Sequence, residues 1–133
     1  MSKRLSVYDE LFRRAGEQAK NSNDGVILDA TFVTQELRRR AATIAAEHKM
    51  TFVILETHCS EKASLARISR RTKENYESNA LTKEAYLNNK KKFEPVDLND
   101  LKKRHPQLEM MHLTVDTEYD PPEKWYMIGM EKK

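Results

Sequence analysis

The sequence predicts an α/β fold, a parallel sheet joined by helical crossovers. Two observations predict it. Two short runs, Val26-Ile27-Leu28 and Phe52-Val53-Ile54-Leu55, are apolar throughout, the first as a strand buried on both faces is, and Met111–Val115 reads as a third strand. Between them lie segments whose apolar residues recur at helical spacing, so the order is strand, helix, strand, helices, strand.

The elements follow in order. Ser6-Val7-Tyr8-Asp9 reads as a helix N-cap with an acidic residue three positions on. Tyr8, Leu11, Phe12, Ala15 and Ala19 then line one helical face and leave Arg13, Arg14, Glu17 and Lys20 to solvent. The polar cluster from Asn21 to Gly25 ends that helix before the run at Val26. Thr34 caps a second helix, with Glu36 in its first turn and Leu37, Ala41, Ile44, Ala45 and His48 on one side. After the run at Phe52, Ser60 starts a helix that reaches about Thr72, and Asn75–Asn79 is a polar loop. Thr82–Phe93 and Asp97–Arg104 are two further helices, separated by Pro95 and stopped by Pro106. The third run ends at Asp116, and Trp125–Met130 alternates weakly, as an edge strand does.

The totals bound the function. The chain has 133 residues, 38% apolar and 34% charged, which suits one domain, 1–133, with a helical excursion over 60–105. A net charge of +3 is too mild to demand nucleic acid or an anionic membrane. The single cysteine, Cys59, allows no internal disulfide, and no run approaches a membrane span. Met1–Arg14 has no signal-peptide core, so a soluble cytoplasmic protein is expected. The three glycines, Gly16, Gly25 and Gly129, are scattered. A GxxxxGK[ST] phosphate loop or a GxGxxG turn needs clustered glycines, so the chain contains neither.

Parallel sheets place ligands beyond the carboxyl ends of their strands. Those ends read Asp29-Ala30-Thr31, Thr57-His58-Cys59 and Asp116-Thr117. A carboxylate directly after a buried strand, Asp29, can hold Mg²⁺ through water or take a proton from a substrate hydroxyl. It can equally cap the turn that follows. Arg67, Arg70 and Arg71 share one helix face at i, i+3 and i+4, where their mutual repulsion favours a bound anion such as phosphate. The plainer alternative is a solvated face neutralised by Glu74 and Glu77. Arg38, Arg39 and Arg40 must point around their helix, with Arg38 nearest the strand ends. The runs Lys90–Lys92 and Lys102–Arg104 lack aromatic interleaving and read as solvated surface. The histidines and Cys59 show no metal-ligand spacing.

The segment Val26-Ile27-Leu28-Asp29-Ala30-Thr31-Phe32 followed by Leu37-Arg38 resembles the "VILDATF…R" signature of the AAA-type P-loop "predicted kinase" family, related to polynucleotide kinase, gluconate kinase and zeta-toxin folds. Tyr8–Ala15, the arginine-rich stretch Leu65–Arg71, Lys92-Phe93-Glu94-Pro95 and Val115-Asp116-Thr117 extend the similarity in the same order. The resemblance implies a three-layer, nucleoside-kinase-like P-loop NTPase fold with a helical lid over 60–105, using ATP and Mg²⁺ to phosphorylate a small-molecule or nucleoside hydroxyl. Asp29 is then the Mg²⁺ or substrate-hydroxyl carboxylate, and Thr31 and Arg38 lie near the phosphate acceptor. Arg67 and Arg71 belong to a lid over ATP, with Arg70 beside them, and Asp116 and Thr117 lie near the nucleotide base.

Family members begin with a strand, the phosphate loop, a helix and a second strand, so the chain is expected to be an incomplete fold and inactive alone. The missing strand would lie between Val26–Leu28 and Phe52–Leu55. Those two are therefore expected either to pair directly or to leave edges that join chains into a homo-oligomer. The alternatives are a non-catalytic binding or regulatory module, or a weakly nucleic-acid-binding basic domain.

Overall fold

The computed structural model describes residues 3–21, 24–73 and 83–133, with side chains for 7–21, 24–70 and 83–133. Its elements are α1 (Lys3–Asn21), α2 (Gln35–Glu47), β1 (Phe52–His58), α3 (Glu61–Lys73), α4 (Lys83–Lys92), α5 (Leu98–Arg104), β2 (Met110–Asp116), a 3₁₀ turn (Pro122–Lys124) and β3 (Tyr126–Lys132). The expected loop at Asn75–Asn79 and the expected neutralisers Glu74 and Glu77 lie outside the described residues.

The sheet has the order β1-β2-β3. Phe52 N–H donates to the Glu109 carbonyl at 2.9 Å, and Thr117 N–H donates to the His58 carbonyl at 2.8 Å. Both strands advance together between these two bonds, so β1 and β2 are parallel. Met110 and Lys133 instead exchange both of their backbone bonds, at 3.3 and 3.0 Å, which makes β3 an antiparallel edge. The weak alternation of the tail is thus a strand, and the sheet is mixed rather than wholly parallel.

Two sequence expectations are corrected here. Val26–Leu28 forms no strand, and it does not pair with β1. Ile27 is 94% exposed instead of covered on both faces, and only Leu28 packs against the core. An apolar run becomes a strand only when a neighbour takes up its N–H and C=O groups, and among the described residues none does. Ser6 is not an N-cap, because α1 already begins at Lys3.

The chain divides into two compact units. The first comprises Met1–Val53, Pro95–Met111 and Lys132–Lys133. It holds every fully buried apolar side chain among the described residues, with Leu98, Leu101 and Met110 the largest of the most enclosed. Tyr8 and Phe12 of α1 and Leu37 and Ala41 of α2 form a cluster to which Leu28, Phe32, Ile44 and Phe52 add. Each large member contributes about 1.5–3 kcal/mol by leaving water. The Tyr8, Phe12 and Phe32 rings meet tilted or edge-on, with centroids 5.6 to 6.1 Å apart. Along α2 a stripe of polar residues four apart ties it to α5. Gln35 donates to the Asp97 carbonyl (2.9 Å), Arg39 to Asp100 (2.8 Å), and Thr43 meets His105 (3.3 Å). Asp97 in turn caps α5.

The second unit comprises Ile54–Glu94 and His112–Glu131. Among its described residues only Thr117 is fully buried, so polar bonds do more of the work. Glu56 and His112 face each other across β1 and β2 at 2.8 Å. Lys90 reaches Glu61 at 3.8 Å. No helix among the described residues is long and apolar enough to cross a membrane.

Candidate anion-binding site at the ends of the first two strands

The carboxyl ends of β1 and β2 lie side by side, joined by the bond between Thr117 and His58. After β1 the chain turns through Cys59 and Ser60 into α3. The Ser60 hydroxyl accepts from Ala63 N–H at 3.1 Å and so caps the helix, as its residue type predicts. Seven residues on, two turns along α3, Arg67 returns to the end of β2. Its guanidinium donates to the Thr117 hydroxyl at 3.3 Å and to the Thr117 carbonyl.

The loop after β2 closes the site. Glu118 N–H donates to the Asp116 carboxylate at 2.9 Å. The Glu118 carboxylate accepts from Ser60 N–H and from the Ser60 hydroxyl, both at 2.7 Å. Those Ser60 bonds, backbone first, hold Glu118 below the usual carboxylate range. Asp120 accepts from Arg70 at 2.9 and 3.2 Å and from Arg67 at 3.2 Å. The Arg70 guanidinium, followed by that of Arg67, lowers the Asp120 carboxyl as well. Two guanidinium groups thus converge on one carboxylate, with the fork geometry by which arginine grips oxyanions.

Of the residues singled out in the sequence, Arg67, Arg70, Asp116 and Thr117 come together here. Arg71 lies on α3, but its side chain is outside the described residues. Ser60, Glu118 and Asp120 were missed. The acidic string Asp116-Thr117-Glu118-Tyr119-Asp120 carried the signal, but the side-chain partners of Glu118 and Asp120 lie 50 to 58 residues away.

Asp29, Thr31 and Arg38 belong to the other unit. Asp29 and Thr31 are exposed on the loop that enters α2. Phe32 there has φ +44°, a left-handed backbone that a bulky side chain rarely adopts. Two groups hold it. The Tyr8 hydroxyl accepts from Phe32 N–H at 3.0 Å and meets the Thr31 hydroxyl at 3.1 Å. Arg38, only 2% exposed, donates to the carbonyls of Phe32 (3.0 Å) and Val33 (3.4 Å) and to Gln35 (3.2 Å). The three consecutive arginines do point in different directions. Arg39 reaches Asp100, while Arg40 binds Asp9 at 2.7 Å and sits 4.5 Å over the Phe12 ring. The lysine runs end their helices, where positive charge meets the helix dipole favourably. Among the described residues, no three His, Cys, Asp or Glu side chains gather as a metal site.

A mixed α/β sheet with helices between its parallel strands defines the class, an α/β domain. The AAA domain family matches residues 2–96, and the chain belongs to that family. The fold is thus P-loop NTPase-like, and the family's character is nucleotide-binding and kinase-like. No curated protein and no solved structure gave a match.

Proposed function

We propose that the chain is a nucleotide-binding, kinase-like module whose phosphate grip is the Arg67–Arg70 pair. The convergence of these two guanidinium groups at the paired ends of β1 and β2 carries the reading, because their present partner, Asp120, is itself an oxyanion. The donor set fits the phosphates of ATP, and α3 is the part of the expected 60–105 lid that carries it, α5 being packed into the core of the first unit. Asp116 and Thr117 flank the nucleotide base. Asp29 offers one exposed carboxylate, enough for Mg²⁺ only through water or for accepting a hydroxyl proton. ATP and Mg²⁺ supply the phosphoryl group and its charge neutralisation. Thr31 belongs to the acceptor side, for a small-molecule or nucleoside hydroxyl. Arg38 acts there through the backbone of Phe32 and Val33.

The 133 residues contain no clustered-glycine phosphate loop, so this chain alone binds without turnover. The outer edge of β1, beside which no strand lies among the described residues, serves association between copies. Titration of Mg-ATP followed by calorimetry tests the reading. Replacing both arginines (Arg67→Gln with Arg70→Gln) should weaken binding at least tenfold, since a hydrogen bond from a charged group contributes about 1.5–3 kcal/mol. Unchanged affinity would remove the assignment. Release of phosphate from ATP that depends on Asp29 would refute the absence of turnover. The regulatory-module reading shares the binding and lacks the acceptor. A basic nucleic-acid domain would show binding that falls steeply with salt.

A further inference from the structure

We infer that Asp120 is an internal counterion that occupies the Arg67–Arg70 pair and must be displaced before a phosphate-bearing ligand binds there. The inference rests on the reading of that pair as the phosphate contact, and it adds a control on access. Three features carry it. Asp120 binds Arg70 through both of its oxygens, at 2.9 and 3.2 Å, and Arg67 through one, at 3.2 Å, so a single carboxylate occupies both guanidinium groups. It sits on a tethered loop. Glu118, two residues earlier, is fixed to Ser60 by two bonds of 2.7 Å, and Pro121-Pro122 stiffens the chain just beyond. Finally, the contact is reversible. The Asp120 and Arg70 side chains are 56% and 57% exposed, and ion pairs this wet are weak enough for a multiply charged ligand to replace.

A tethered carboxylate competes at a high effective concentration and lowers apparent affinity by the fraction of molecules in which the pair is open. A latch of ordinary exposed-pair strength keeps roughly one molecule in five open, so removing it should tighten ligand binding about fivefold. The loop lies beyond the stretch matched by the family, which ends at residue 96.

The test is calorimetric titration of the full chain with Mg-ATP. Asp120→Asn should bind three- to tenfold more tightly than the unaltered chain. Asp120→Ser should do the same and guards against a local packing effect of the amide. Glu123→Gln, which removes a neighbouring charge without touching the pair, should stay within twofold; an equal gain there would reduce the effect to net charge and overturn the latch. If tight binding by Asp120→Asn persists after both arginines are replaced by Gln, the phosphate assignment fails. If binding requires the arginines but Asp120→Asn and Asp120→Ser equal the unaltered chain, the latch alone fails. No binding by any variant overturns both.

Discussion

Replacing Arg38 by Met should destabilise the first unit by about 3 kcal/mol. Methionine fills most of the volume of the arginine stem, so the cavity cost is small and the loss is mainly polar. Three bonds go, to the Phe32 carbonyl at 3.0 Å, to Gln35 at 3.2 Å and to the Val33 carbonyl at 3.4 Å. A bond from a charged donor contributes about 1.5–3 kcal/mol, the longest of the three contributes least, and the carbonyls left behind regain water only in part. The strained backbone at Phe32, φ +44°, would keep the Tyr8 hydroxyl as an anchor and lose the guanidinium on its carbonyl. In a domain of this size about 3 kcal/mol corresponds to a fall in Tm of roughly 10 °C and a fall in the urea midpoint of roughly 1–2 M. Urea unfolding followed by far-UV circular dichroism reads it. Arg38→Lys should recover less than half the loss, because an ammonium on a flexible stem cannot fork to two carbonyls. A loss below about 0.5 kcal/mol for Arg38→Met would refute the structural role and free Arg38 for direct contact with a ligand.

The remaining predictions concern the core, the α2–α5 contact and the open edge. Leu101, with no exposed surface, should cost about 2–5 kcal/mol as Leu101→Ala in the same urea assay. Arg39, then Gln35, holds the Asp100 carboxyl down to about 2 from an ordinary 3.8. Its contribution is therefore complete above about pH 4 and is lost as pH falls through about 2. Solvent screening limits it to about 1 kcal/mol, and Asp100→Asn should remove that pH-dependent increment from stability curves measured between pH 2 and 5. The outer edge of β1 has no strand beside it among the described residues, and Val53 and Leu55 are 48% and 62% exposed. Sedimentation should show self-association that Leu55→Lys weakens, since a lysine on an edge opposes pairing. Sedimentation as a monomer at every concentration would contradict it.

Much of the fold was legible because it is local. Helical spacing placed α1 and α2, the capping chemistry of Thr34 fixed where α2 begins, and Ser60, Pro95 and Pro106 bounded the later helices, of which Ser60 and Asp97 prove to be caps. Strand formation at Val26–Leu28 was not legible, because it depends on a neighbour that three apolar residues cannot specify. The arginines show the same limit. Composition revealed the cluster at Arg67 and Arg70, but the residue that neutralises it is Asp120, 50 positions beyond Arg70. Arg38, Arg39 and Arg40 read as a run that points around its helix, but the sequence did not give the partner of each: the loop at Phe32, α5 and α1.

The most direct test of the central claim, nucleotide binding at the ends of β1 and β2, is a titration of ¹⁵N-labelled chain with Mg-ATP followed by amide chemical shifts. The account predicts saturable shifts concentrated at residues 58–70 and 116–120, lost when Arg67 and Arg70 are both replaced by Gln. Shifts confined to Lys90–Lys92 and Lys102–Arg104, or none at millimolar ATP, would contradict it.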